Sequence, residues 1–353
     1  MDVGIVGGGI NGLCCALQIA KQGHKVHLYE RDTIMNATSR ASSKLLHGGL
    51  RYLENGEFRL VREALRERDA WIKRVPDLAS PLRLIIPIYK GARRSAWMLS
   101  SGLFLYDILA GKSQLPNSRR LSKMEIQDRD PALKRSGLLG GYEYSDGLMD
   151  DHALGQWVAG EARKLGVSIV ERSEVLSVDC HGRLSTADGM THDHDRVLNI
   201  TGPWAHQLLR RSGIDAPYTL DLVRGSHLLL NASCSQAYLL EVPGERRIFF
   251  VLPWKGQTLL GTTEVRQSLD ASIVCSDQEI EYLLHSYRYY FPMYNLEVAD
   301  TFAGLRPLLN SANDPSKATR EYAFYRKEKL LTVFGGKWTT AMALADKVTK
   351  AIH

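Results

Sequence analysis

Cysteine is scarce and unorganised in this sequence. Five residues of 353 (Cys14, Cys15, Cys180, Cys234 and Cys275) form no CxxC and no paired spacing. That excludes a disulfide framework and fits a reducing compartment. Cys14 and Cys15 are neighbours in an apolar run, where the thiol acts as a small hydrophobe. Long apolar runs are missing as well: no window of about 18 residues is uninterruptedly apolar, so no bilayer-spanning helix is expected. Met1-Asp2 lacks the basic start of a signal peptide, and glycines break the apolar stretch behind it. Internal repeats, low-complexity tracts and metal-ligand patterns are absent, and no metal or nucleic-acid partner is expected. A formal net charge of +6 is compatible with an anionic substrate, an anionic membrane surface or nucleic acid and alone decides nothing. What is present is 44% hydrophobic and 24% charged residues over a length that suits two intimate domains better than one.

The first thirty residues read as strand, turn, helix, strand. Val3 to Val6 is a short buried strand, and Gly7, Gly9 and Gly12 form G-x-G-x-x-G. The predicted helix runs from about Asn11 to Gln22 and stops at Gly23, and "KVHLYE" is a second strand ending at Glu30. Each part has a physical task. Gly7 permits the tight turn, Gly9 lets a pyrophosphate approach the backbone, and Gly12 lets helix and strand pack closely. The helix N-terminus supplies unpaired N–H groups to phosphates, and Glu30 can bond ribose hydroxyls. In this context the motif predicts a dinucleotide site. The motif does not separate NAD from FAD; Glu30-Arg31 leans weakly to FAD.

"SSKLLHGGLRYLE", Ser42 to Glu54, gathers hydroxyls, Lys44, His47, Gly48, Gly49, Arg51 and Tyr52 in thirteen residues. "EFRLVREALRERDAWIKRVP" is a helix with Leu60 or Val61, Ala64, Leu65, Trp71 and Ile72 on its apolar stripe; its charges read as ordinary surface pairs. Gly91 to Lys123 combines Trp97, Met98, Leu103, Phe104, Ile108 and Leu109 with Arg93, Arg94, Arg119 and Arg120, which reads either as a buried helix with basic flanks or as a segment touching anionic lipid. "YEYSDGLMDD" leads to a helix capped by Asp150 or Asp151, and "DRVLNITGPWA" is another buried strand, so βα units recur and the dinucleotide domain is discontinuous. "RRIFFVLPWKGQTLLGTTE" is a hairpin turning at Lys255-Gly256, and "QEIEYLLHSYRYYF" is a helix. Near the end, "FGGKWTT" sets Gly335 and Gly336 before a last helix with Lys337, Thr339 and Thr340 at its mouth, a second anion site. Arg306 in "AGLRPLL" is either a ligand-binding cation or a surface salt bridge. His227 in "VRGSHLLL" is either a base or a satisfied strand histidine.

Taken in order, "IVGGGINGLCCALQIAKQG", "TSRASSKLLHGGLRYLENGEFRLVREALRERD", "YEYSDGLMDD", "NITGPW", "VRGSHLLL", "FFVLPWKGQTLLGTTE", "AGLRPLL" and "FGGKWTT" span essentially the whole chain. The sequence resembles the FAD-dependent, aerobic, respiratory glycerol-3-phosphate dehydrogenase family. Two departures stand out: the helical C-terminal domain usual in the family is expected to be absent, and Ile200 stands in "NITGPW" where Ala is usual. The resemblance implies an α/β fold, a Rossmann-like FAD-binding domain of the glycine-oxidase-like type interleaved with an antiparallel β-rich substrate domain. It divides the chain into 1–75, 146–214 and 301–353 for the cofactor, and 76–145 and 215–300 for the cap. It further implies that Gly7, Gly9, Gly12, Glu30, Arg31, Ser42, Ser43, His47, Gly48, Gly49, Val175, Thr201, Gly202, Trp204, Gly304, Gly335, Gly336 and Lys337 hold FAD. Arg51, Tyr52, Arg306, Lys337 and Thr339 would form the substrate pocket. His227, Arg306, Lys337 and His47 would carry the chemistry, with His227 favoured as the base or its orienting partner. The implied reaction is oxidation of sn-glycerol 3-phosphate to dihydroxyacetone phosphate, with electrons passed to quinone by a protein attached peripherally to the cytoplasmic face of the membrane. A homodimer stays open, as do an amino-acid oxidase of the same fold and a non-catalytic FAD-binding remnant.

Overall fold

The computed structural model describes residues 1–293, 297–309 and 322–353. Among these, a six-stranded sheet runs in the order Tyr322–Lys327, Leu330–Gly335, Arg196–Asn199, Asp2–Val6, Lys25–Tyr29, Ser168–Val170. All neighbours are parallel except the edge hairpin at Tyr322–Lys327. Parallel strands need crossovers, and the first crossover is helix Ile10–Lys21. Ile10, Leu13, Cys14, Cys15, Ala16, Leu17 and Ile19 of this helix are buried in one core with helices Asp151–Lys164 and Ala341–Ala351. Burying a side chain the size of Leu or Ile contributes about 1.5–3 kcal/mol. Gly12 makes the approach possible: a Cβ there would lie 1.9 Å from the Gly7 carbonyl oxygen. A small antiparallel sheet, Val175–Val178, Arg183–Thr186 and Thr191–Asp193, stands alongside.

The second large sheet has ten strands and is antiparallel apart from the pairing of Ala237–Glu241 with Ala79–Tyr89. Its hairpin Ile248–Trp254 to Gln257–Gly261 turns at Lys255-Gly256, where the sequence puts it. Leu45–Leu46 and Val298–Leu309 from residue 301 onward come from ranges read as cofactor domain, yet both strands pair within this sheet. The chain leaves the six-stranded sheet for this one at Leu45–Leu46 and returns toward it after Val298–Leu309. The range 301–353 also includes 310–321, which lie outside the described residues.

Two sequence expectations change here. Helix Phe58–Arg74 does not carry all its charge to water: Arg68 is 2% exposed. Its guanidinium donates to the Ser145 carbonyl at 2.8 Å and to Asp146 at 3.3 Å, and it pairs with Asp69 at 2.8 Å. A charge at a helical position is read as solvated unless a distant partner is known, and Asp146 is distant. Two of the basic residues in the Gly91–Lys123 segment are likewise engaged by carboxylates of the protein itself. Arg94 pairs with Glu54 at 2.6 Å and Glu241 at 2.9 Å, and Arg119 with Glu125 and Glu143. Between them, helix Ala96–Ala110 buries Leu103 and Tyr106 and turns Trp97, Phe104 and Ile108 outward, so the helix is buried on one face only.

Burial pushes the Asp146 carboxyl up to about 6, against the pull of Arg68 and Tyr106. A carboxyl raised above its unfolded value contributes stability at acid pH that is lost as pH rises toward 6. Arg68→Met removes the countercharge and leaves a buried carboxylate, which should cost about 3–5 kcal/mol near neutral pH. Urea unfolding should show that deficit shrinking below about pH 5, where Asp146 holds its proton.

Candidate active site

A cavity of about 350 Å³ follows the C-terminal ends of the parallel strands and continues against the second sheet. It collects Gly7, Gly9, Glu30, Arg31, Ser42, Ser43, His47, Gly49, Arg51, Tyr52, Val175, Thr201, Gly202, Trp204, His227, Gly304, Arg306, Gly335, Gly336, Lys337 and Thr339. Of the expected site residues, Gly12 and Gly48 do not line it. Gly12 is packed against Gly7, and Gly48 lies under the loop with its N–H turned to the Tyr106 hydroxyl at 2.9 Å and to Asp146 at 3.4 Å.

At the fingerprint, helix Ile10–Lys21 begins at Gly9 with no side-chain cap. Ile10 N donates to Ser39 Oγ at 3.0 Å, and Gly8 N donates to Glu30 Oε2 at 2.6 Å, which fixes the carboxylate at the strand end. Asn11 Oδ1 is buried and accepts no hydrogen bond among the described residues. Arg31 lies 3.9 Å over the Trp204 ring, closing one flank.

The loop after Thr38–Arg40 crosses to the second sheet and is pinned by Asp151. Lys44 Nζ reaches both Asp151 oxygens, at 2.7 and 2.9 Å, and Ser42 Oγ donates to Asp151 Oδ2 at 2.7 Å. The Ser42 hydroxyl, expected to hold FAD, is therefore directed to this carboxylate. Ser43 Oγ lies 2.9 Å from His227 Nε2, and the imidazole stacks on Phe302 with ring centroids 4.8 Å apart. Burial, with Lys44 and Arg306 adding to it, pushes His227 down to about 3, so the ring is neutral near pH 7. Its Nδ1 has no hydrogen-bond partner among the described residues.

The cations meet on the same wall. Lys337 Nζ sits 3.7 Å over the Tyr52 ring. Arg306 donates through Nη2 to the Thr263 carbonyl at 2.9 Å and fits because residue 225 is Gly: a Cβ there would lie 2.9 Å from Nη2. Thr339 Oγ1 accepts from His47 N at 3.3 Å, and its carbonyl accepts from Trp71 Nε1 at 3.1 Å, joining the last turn to the loop. Sequence reasoning missed Asn11, Ser39, Asp146 and Glu264, which also line the cavity. Asn11 sits inside the fingerprint, so the local motif carries its signal. The others become site residues only through distant partners.

A family model described as FAD dependent oxidoreductase matches residues 2–351. The chain belongs to that family. It is 38% identical to a glycerol-3-phosphate dehydrogenase of Pseudomonas aeruginosa over 98% of its own length and 70% of that relative. It is 36% identical to a D-erythritol 1-phosphate dehydrogenase of Brucella abortus, covering 98% of this chain and 72% of that one. In three dimensions it matches the FAD-complexed glycerol-3-phosphate dehydrogenase of Bacillus halodurans with a TM-score of 0.79 and 24% identity, over all of this chain and 64% of that one. The chain thus spans about two thirds of the length of these relatives.

The cofactor of this flavoenzyme is FAD. The residues of the site fit that group on their own account: an uncapped helix start and a glycine-lined trough suit a phosphate, and the buried acceptor Asn11 Oδ1 suits a hydroxyl donor of the same molecule. The fingerprint glycines and Glu30 provide a non-covalent cradle, and neither a cysteine nor a histidine in the sequence stands in a known flavin-attachment context. Acid precipitation should therefore leave all flavin colour in the supernatant; colour retained in the pellet would mean a covalent link.

Proposed function

We propose that this FAD-dependent oxidoreductase converts sn-glycerol 3-phosphate to dihydroxyacetone phosphate and passes the electrons to a quinone. The observation that carries the reading is the cation set, Arg51, Arg306 and Lys337, on the wall of the cofactor cavity. A phosphate dianion in a partly dry pocket needs such groups. The arginines offer forked donors, and Lys337 offers a compact charge. Bound FAD supplies the two-electron acceptor for the hydride that leaves the polyol carbon. The neutral His227, alone or through Ser43, takes the hydroxyl proton; phosphate binding beside it offsets Arg306 and Lys44 and raises its basicity. Tyr52 and Thr339 line the substrate pocket, and His47 is the second candidate base. An amino-acid oxidase would need one cation for its carboxylate, and several are present. A second reading, oxidation of a longer polyol phosphate, draws on the cleft of about 1280 Å³ that shares Arg51, Tyr52 and Glu264 with the cavity and gives extra carbons room.

Anaerobic mixing with glycerol 3-phosphate should bleach the flavin, whereas D-amino acids should not; faster bleaching by a four-carbon polyol phosphate would favour the second reading. Arg306→Ala and Lys337→Ala should each raise KM and lower kcat with FAD retained, a loss of roughly 1.5–3 kcal/mol in transition-state binding. Wild-type kcat/KM in either variant would remove that residue from the pocket.

The quinone brings the protein to a bilayer surface, here assigned to the cytoplasmic face. Among the described residues no helix is long and apolar enough to cross a membrane. Helix Ala96–Ala110 exposes Trp97 (77%) and Phe104 (68%) beside the cleft that adjoins the site. With Arg94 and Arg119 engaged by carboxylates, the apolar face rather than the arginines carries the contact. Flotation with anionic vesicles should recover the enzyme, and Trp97→Ser/Phe104→Ser should abolish recovery with FAD intact; unchanged flotation would rule this face out.

A further inference from the structure

Glu264 is an acid in a place built for anions. Its carboxylate lies 3.5 Å from Arg51 Nη2, 3.6 Å from Arg247 Nη2 and 3.8 Å from Arg306 Nη1. The three arginines come from separate parts of the chain: the turn Leu50–Asn55, the residue before strand Ile248–Trp254, and strand Val298–Leu309. Two of them are also held by backbone. Arg306 Nη2 donates to the Thr263 carbonyl at 2.9 Å and Arg247 Nη2 to the Glu264 carbonyl at 3.1 Å. These anchors do not involve the Glu264 carboxylate, so the guanidinium groups keep their places when it moves. Glu264 itself lies on the short connection between strands Gln257–Gly261 and Val265–Arg266, with its side chain 31% exposed. It borders both the cavity and the adjoining cleft, so it has room to turn.

The charges point to what replaces it. Three guanidinium groups hold a monoanion at present, and a phosphate monoester carries about −1.5 to −2 near neutral pH. We propose that Arg51, Arg247 and Arg306 form a phosphate subsite and that Glu264 is its resident counter-ion, displaced toward the cleft when a substrate phosphate binds. The proposal rests on the phosphorylated-polyol reading above and adds Arg247 and Glu264 to it. It also makes Glu264 a specificity-determining residue. A phosphate dianion gains more from the arginines than the carboxylate loses, whereas a carboxylate substrate only exchanges one monoanion for another. The resident acid therefore raises the threshold for amino acids and other carboxylates.

The test uses full-length, FAD-loaded enzyme and inorganic phosphate, read from flavin difference spectra and from the phosphate-dependent rise in Tm. Glu264→Gln keeps the shape and removes the charge. It should tighten phosphate about fivefold or more and narrow the preference for phosphate over acetate, because like-charge juxtaposition is relieved. Arg247→Gln should weaken phosphate by a similar factor with the flavin spectrum unchanged. If Glu264→Gln loosens phosphate or leaves it unaltered, Glu264 is a scaffold for the arginines and the proposal is overturned. Should that variant not fold, Arg247→Gln carries the test, and unchanged phosphate binding in it overturns the subsite. Failure of the wild type to oxidise any phosphorylated polyol, with phosphate still tightened by Glu264→Gln, would remove the functional reading and leave the subsite standing. Oxidation of glycerol 3-phosphate with phosphate loosened by Glu264→Gln would do the reverse.

Discussion

The buried Lys44–Asp151 ion pair sets the frame on which the site depends. Both groups are almost out of water, with side chains 9% and 1% exposed. Such a pair recovers little beyond its own desolvation, and what it contributes is one geometry in place of several. Asp151 opens a helix that packs on the fingerprint helix, while Lys44 belongs to the loop that crosses to the antiparallel sheet. Joining them fixes how far the loop advances. Ser43 then meets His227 on the far sheet, and His47 meets Thr339 on the near one. Neither sheet alone could hold both contacts.

Around that frame the ionisable groups are sorted by how much water they keep. Arg51, Glu264 and Arg306 stay partly exposed, so their charges remain affordable without a ligand. His227 is denied water and kept neutral, which avoids adding another positive charge beside Arg306 and preserves a lone pair in a cationic pocket. Beneath the loop, Asp146 holds Gly48, Tyr106 and Arg68 on one oxygen, so the backbone that faces the cavity is supported from behind by a charged group rather than by packing alone.

The sequence made legible whatever is encoded locally. The glycine fingerprint, the turn at Lys255-Gly256, the Asp150 cap and the final glycine turn each involve residues a few positions apart, and each forms where the pattern places it. The family blocks carried most of the cavity wall for the same reason. What stayed hidden was encoded by distant pairs. Arg68 reads as a surface charge until Asp146 is brought beside it, and Arg94 reads as a free cation until Glu54 and Glu241 arrive. Glu264 looks like the polar end of a hairpin, and only the convergence of three arginines gives it a role. Periodicity reports which face of an element is apolar; it carries no information on which charge will meet which.

The weaving of the parallel sheet has a consequence for biosynthesis. Its central strand, Asp2–Val6, is synthesised long before the strand two places away, Leu330–Gly335. The glycine turn, Lys337 and Thr339 follow that strand, and Thr339 is the group that ties the cofactor loop to the near sheet. A nascent chain therefore displays its phosphate-binding fingerprint long before it owns the opposite wall. Tight capture of flavin must wait until that wall is made, and the unfinished trough, with its apolar helix faces uncovered, is the species that chaperones would meet.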